Sequence, residues 1–160
     1  MNNLTIVMYH YVRDIKESKY PKIKGLEMTG FVRQLDYLID SFNIIRAEDV
    51  IDSVKQGKQL PGHSCLLTFD DGYEDHVTNV LPELLKRNIQ GSFFPPANCI
   101  LEREILDVNK IHFILACANN YTKLVKDLDS LCIEYGISTK LLASYKIKFA
   151  LPSRYDIAEV

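Results

Sequence analysis

The chain of 160 residues has little net charge, no long apolar run, no internal repeat and no paired-cysteine motif. Each lack removes a class of function. Its 19 basic and 21 acidic residues leave a formal net charge of −2, too small for a polyanion-binding surface, so nucleic acid is not an expected partner. No stretch approaches the roughly 18 apolar residues that cross a bilayer, so no membrane span is expected. The opening Met1-Asn2-Asn3-Leu4-Thr5 lacks the basic region and apolar core of a signal peptide, so the expected location is cytoplasmic. Cys65, Cys99, Cys117 and Cys132 stand far apart with no Cys-x-x-Cys spacing. That pattern argues against disulfides or a thiolate metal site and for reduced packing residues.

What is present is an ordinary globular composition, 47% hydrophobic and 25% charged, which suits one domain or part of a larger one. The most informative stretch runs from Ser64 to Tyr73, Ser-Cys-Leu-Leu-Thr-Phe-Asp-Asp-Gly-Tyr. A short continuous apolar run predicts a strand buried on both faces, as in a parallel sheet. Asp70 and Asp71 follow at its C-terminal end, where open α/β sheets and barrels bind their ligands. Gly72 can adopt a positive φ and bend the chain so that both acids face one cavity. Neighbouring carboxylates resist ionising together unless a cation or strong donors stand between them. The simplest division of labour puts one acid on a metal and makes the other a general base.

Around that stretch the pattern alternates between strand and helix. Leu4 to Tyr9 reads as the first strand, with His10 at its end, and the lysine-rich segment 13–27 as a solvated loop. From Thr29, a plausible N-cap, Phe31, Leu35, Leu38 and Phe42 recur at helical spacing. Ile44-Ile45 reads as a short strand, followed by a helix from near Glu48 that stops at Gly57. After Tyr73 comes a helix interrupted by Pro82, which predicts a kink or two short segments. Asp75, at its start, suits a capping position better than a metal site. Residues 89–94 read as another strand, in which Phe93 is expected to complete the core. Strand, helix and strand at these intervals predict right-handed βαβ units. Beyond Ile100 three helical segments follow without a strand. The first, 105–117, carries Val108, Ile111, His112 and Leu115 near one face; the third is capped by Ser138.

Thr68-Phe69-Asp70-Asp71-Gly72-Tyr73 resembles the first motif of the NodB-type polysaccharide deacetylases, carbohydrate esterase family four. Met8-Tyr9-His10-Tyr11-Val12 and Gly91-Ser92-Phe93-Phe94-Pro95 resemble flanking features of that family in the same order. The resemblance covers about the first 100 residues. It implies an α/β fold, an irregular (β/α) barrel of the NodB-homology type, incomplete here and carrying a helical insertion in its C-terminal third. On this reading 1–100 is the α/β part of the barrel and 101–160 the insertion and a truncated continuation. The resemblance makes Asp70 the general base, which activates the water that attacks an acetamide carbonyl. It makes Asp71 a ligand of a divalent metal, usually zinc. It places His10 and Tyr73 near the substrate, an N-acetylated carbohydrate.

The family's two further ligands come from a His-x-x-x-His motif, and this sequence has none. His112, three residues after Asn109 and close to Asp107, is the nearest substitute, but Val108 stands where the second histidine would be. The helix opening at Ser153 also stops almost as it starts. Together these predict an N-terminal part of a metal-dependent hydrolase that removes N-acetyl groups from a carbohydrate. The missing C-terminal part of the domain would be its partner, and the chain by itself would be weakly active or inactive. The alternative is a non-catalytic carbohydrate-binding or regulatory remnant of the same fold. A third class, Mg²⁺-dependent phosphoryl transfer, lacks the basic or glycine-rich phosphate contacts it needs.

Overall fold

A computed structural model describes residues 3–150 of the chain, with side chains for 3–147; the segment expected to start a helix at Ser153 lies outside the described residues. The chain divides after Cys117 into two compact units.

The first unit is built on a parallel sheet of four strands, β1 (Leu4–Tyr9), β2 (Asn43–Ile45), β3 (Ser64–Asp70) and β4 (Ser92–Phe94). β3 is the hub. β1 pairs along one edge of it, from Leu4 opposite Ser64 to Tyr9 opposite Phe69. The other edge is shared: β2 pairs with Ser64 to Leu66, and β4 with Thr68 to Asp70. Every residue of β3 except Asp70 is buried, as the continuous apolar run predicts for a central parallel strand.

Alternation along β3 separates two environments. Cys65, Leu67 and Phe69 join Tyr9, Phe31, Leu35, Leu38, Val80 and Leu84 in the main core. Phe69 stacks on Tyr9 at 5.2 Å and on Phe93 at 4.9 Å between ring centroids. The opposite face carries Leu66, Thr68 and, at the strand's end, Asp70, which is in register with Phe94. Phe93 completes the stack with one face of its ring but stays 38% exposed, so it is only partly the core residue the sequence suggests.

α1 (Met28–Ser41) buries Phe31, Leu35 and Leu38 against this sheet, at the spacing the sequence shows. It begins one residue before Thr29, with Glu27 at the N-cap position and no side-chain cap. The Glu27 carboxylate instead accepts the backbone N–H groups of Ile15 at 3.2 Å and Lys16 at 3.3 Å. That bond helps close segment 13–27, which is less solvated than its lysines suggest. Ile15 and Ile23 are buried beside Tyr11, and Leu26 donates its N–H to the Tyr11 carbonyl at 2.9 Å. α2 (Ala47–Gln56) ends at Gly57, whose φ of 70° gives the left-handed C-cap expected there.

Past β3, residues His76–Val80 form a π-helical turn that runs into α3 (Leu81–Lys86). Pro82 explains the split. It has no N–H to offer and its ring clashes with the carbonyl four residues back, so the preceding turn widens to a five-residue spacing. The Leu81 N–H accordingly bonds the His76 carbonyl. α4 (Ala97–Leu101) is a short helix with no anticipated counterpart, and α5 (Asp107–Cys117) completes the unit.

α5 turns the opposite way from the face its apolar pattern suggests. Val108 and Ile111 are about half exposed, whereas Asn109 and Ala116 are buried. The second unit holds α6 (Tyr121–Glu134), capped by the Asn120 side chain on the Lys123 N–H at 2.9 Å, and α7 (Thr139–Ala150). Gly136, at φ 86°, ends the α6 segment, and the Ser138 hydroxyl accepts the Leu141 N–H at 3.2 Å, as its capping position predicts. An ion pair joins Lys146 to Asp129.

A Cβ at Gly91 would stand 2.5 Å from the Phe69 ring. Gly91→Ala is therefore expected to destabilise the first unit by about 1–3 kcal/mol, the usual cost of overpacking a core, read as a lower urea midpoint with an unchanged slope.

Candidate functional site

Asp70 and Asp71, expected to face one cavity, share no side-chain partner among the described residues. Asp70 ends β3 on the face of Leu66 and Thr68, is half-buried, and makes no side-chain hydrogen bond to a described residue. Asp71 already lies in the turn, at φ 72°, followed by Gly72 at φ 65°. Two successive left-handed residues reverse the chain within one step. Asp tolerates this better than most side chains, and Gly has no Cβ to clash. At Gly72 the space is also closed, since a Cβ there would meet Pro95 at 2.7 Å. The Gly-Tyr and Phe-Pro blocks of the sequence thus meet in space.

Asp71 is held by two donors. The Tyr73 hydroxyl donates to its Oδ2 at 2.5 Å, and Asn109 Nδ2 lies 3.4 Å from the same oxygen. Asn109 also lies 2.6 Å from the Tyr73 hydroxyl and 3.2 Å from that of Tyr11. Tyr11 stacks on Tyr73 with centroids 4.2 Å apart, and its hydroxyl is 3.5 Å from His112 Nδ1. Burial, reinforced by the bond to Asp71, holds the Tyr73 phenol well above the usual tyrosine range. The phenol therefore acts as a permanent donor to the carboxylate.

The remaining candidates are placed less centrally. The His10 side chain is exposed one residue past the end of β1, and its carbonyl receives His76 Nε2–H at 2.9 Å. That bond leaves His76, 3% exposed, with Nδ1 unpartnered among the described residues. Asp75 occupies the N-cap position without capping; its carboxylate pairs with Arg13 at 2.6 Å. Arg13 in turn lies over the Tyr11 ring, 5.0 Å from its centroid. Beside the acidic turn runs an apolar groove of about 370 Å³, lined by Gly72, Tyr73, His76, Val77, Phe93 and Pro95. His63 lies exposed at the opposite end of β3.

No protein-family profile matches the chain, and no curated protein matches it. Among solved structures, the Streptococcus pyogenes deacetylase PplD in complex with acetate superposes with a TM-score of 0.54 at 17% identity, covering 68% of this chain and 50% of that one. The fold is of the NodB deacetylase type. A de-N-acetylase from Aggregatibacter actinomycetemcomitans matches at 26% identity and TM-score 0.49, covering 57% of this chain and 37% of its own. IcaB from Ammonifex degensii matches at 29% and 0.48, covering 61% and 42% respectively. The chain thus spans half or less of the length of these structures.

The NodB resemblance implies a divalent ion, and the donor set can be tested against it. A catalytic zinc takes about three protein ligands and leaves one position open. Among the described residues no three of His, Cys, Asp and Glu gather closely enough to hold a metal. Among the described residues Asp70 and Asp71 therefore lack the further ligands that such an ion takes. The residue that sequence reading undervalued is Asn109. Its position three before His112 marks a shared helical face, but only the fold brings that face to Asp71.

Burial also pushes the Tyr9 phenol up to about 12, its hydroxyl being unpartnered among the described residues. The unfolded chain ionises its tyrosines near pH ~10 while Tyr9 keeps its proton, so above that pH the unfolded state binds fewer protons. The contribution is intact below pH ~10 and is lost as pH rises toward the folded value, with Tyr73 acting in the same sense. Urea midpoints should fall over this range, and Tyr9→Phe should flatten part of the fall.

Proposed function

We propose that the chain is part of a hydrolase that removes N-acetyl groups from a carbohydrate, with Asp70 as the general base. The observation that carries this is the placement of Asp70 at the C-terminal end of the buried central strand of a parallel sheet, in a fold of the deacetylase type. Asp70 is the acid that no described side chain ties down, so its carboxylate is free to take a proton from an attacking water. A base so placed contributes roughly 10²–10⁴ in rate. Asp71 belongs to the same proposal as a carboxylate ligand of a divalent ion, zinc in the resembled family. Its other donors would lie beyond the residues described here. Tyr73 and the apolar groove beside it offer a flat surface to the pyranose ring or the acetyl methyl group, and His10 lies on the rim at the end of the neighbouring strand.

The incomplete donor set supports weak or absent turnover by this chain alone. It equally supports a second reading, in which the same surface binds an N-acetylated carbohydrate without cleaving it. A cytoplasmic location, and a further segment completing the domain, remain part of the proposal.

The test is acetate release from N-acetylated oligosaccharides, followed together with calorimetric binding of the same sugars. Asp70→Asn is expected to lower turnover at least about 100-fold while leaving sugar binding unchanged. Turnover that survives this substitution would remove Asp70 from its role. Binding with no acetate released by either protein would favour the non-catalytic reading.

A further inference from the structure

His76 is 3% exposed, opens the π-helical turn and stands in the wall of the apolar groove beside the acidic turn. Its two ring nitrogens differ. Nε2 lies 2.9 Å from the His10 carbonyl, an oxygen that only accepts, so Nε2 carries the proton. In the neutral ring Nδ1 is then left with a lone pair, and no donor among the described residues meets it. Burying such an acceptor without a donor is costly, and native folds seldom keep one without a use.

The groove around it suits a small flat group with an apolar end. Tyr73 is held from behind, stacked on Tyr11 at 4.2 Å between centroids and with its hydroxyl on Asp71. Phe93 is held in the same way by its stack on Phe69. The His76 ring lies 5.6 Å from that of Tyr73 and 5.9 Å from that of Phe93. Val77 and Leu81 continue the apolar wall and are 66% and 37% exposed. No acidic or basic side chain other than His76 lines the groove among the described residues. A matching ligand therefore brings apolar surface and one N–H or O–H donor. A secondary acetamido group has that make-up: a methyl, a planar amide and a single N–H.

We propose that this groove is a subsite for the acetamido group of an N-acetylated sugar, its methyl against Val77, Leu81 and Phe93 and its N–H donated to His76 Nδ1. Phe93 lies on the sheet face of Phe69, whereas Asp70 lies on the face of Leu66 and Thr68. The group seated in the groove thus belongs to a different sugar unit from the one that meets Asp70. The proposal rests on the reading of the substrate as an N-acetylated carbohydrate. It deepens that reading by asking for at least two such units and by making His76 a residue of specificity.

The full chain is titrated, by calorimetry and by NMR, with an N-acetylglucosamine tetramer. The comparison is a glucose tetramer carrying O-acetyl esters in place of the acetamido groups, which keeps the methyl and carbonyl and lacks the N–H. Both are measured at pH ~8, above the ordinary imidazole range. The wild type should bind the amide about tenfold more tightly than the ester, and the nitrogen resonance of His76 Nδ1 should move with the amide alone. His76→Gln can keep a donor to the His10 carbonyl and loses the second ring nitrogen, so it should bind both sugars with the ester's affinity. Should that variant lose its native circular dichroism, the wild-type resonance decides. Equal affinity for the two sugars in the wild type, an amide preference that survives His76→Gln, or an Nδ1 resonance that stays in place overturns the subsite. Amide preference with no acetate released supports the subsite and counts against hydrolysis, whereas acetate released without the preference overturns the subsite alone.

Discussion

A seven-residue strand buried on both faces has no water to satisfy its backbone, so β3 must find partners along both edges at once. β1 supplies one edge, and β2 and β4 divide the other. That requirement arranges the first unit. It is met by strands that all run parallel, with the helices as crossovers between them. It also brings the ends of β1, β3 and β4 to the same side of the sheet. The acidic turn, His10 and Pro95 meet there because their strands end in register.

The chemistry follows from where alternation stops. While the chain is extended, side chains go to one face or the other, and Asp70 obeys this rule by lying opposite the Phe69 core. Asp71 breaks it. With two left-handed residues in succession the next carboxylate leaves the sheet's geometry altogether and is held by Tyr73 and Asn109. One acid is thereby left without a side-chain partner among the described residues and the other is held at its Oδ2, although they are neighbours in sequence and identical in type. The different surroundings set the two apart: an unpaired carboxylate can accept a proton, and one held at a single oxygen has its orientation fixed.

The apolar surface left by this arrangement is uneven. The face of β3 toward α1 and α3 is closed by a stack of aromatic rings running from Tyr9 through Phe69 to Phe93. On β1 the opposite side chains, Ile6 and Met8, are exposed, as is Phe94 on β4. The PplD deacetylase structure is about twice the length covered by this chain, so the shared fold is represented in part.

The sequence by itself determined the strand that ends at Asp70, the order of strands and helices before Pro95, and the stops at Gly57 and Gly136. These are local matters: hydrophobic period, glycine's access to positive φ, and proline's missing donor act within a few residues of one another. It also carried the deacetylase resemblance, because that rests on contiguous motifs. Only the tertiary structure decided which face of α5 turns inward and what Asp71 touches. An apolar count favours the face of Val108, Ile111 and Leu115, yet the buried residues are Asn109 and Ala116. The reason is that the Asn109 amide, by turning inward, gains hydrogen bonds to the Tyr73 and Tyr11 hydroxyls and to half-buried Asp71. A partner 38 residues away is chosen by that energy, and no spacing in the sequence records it.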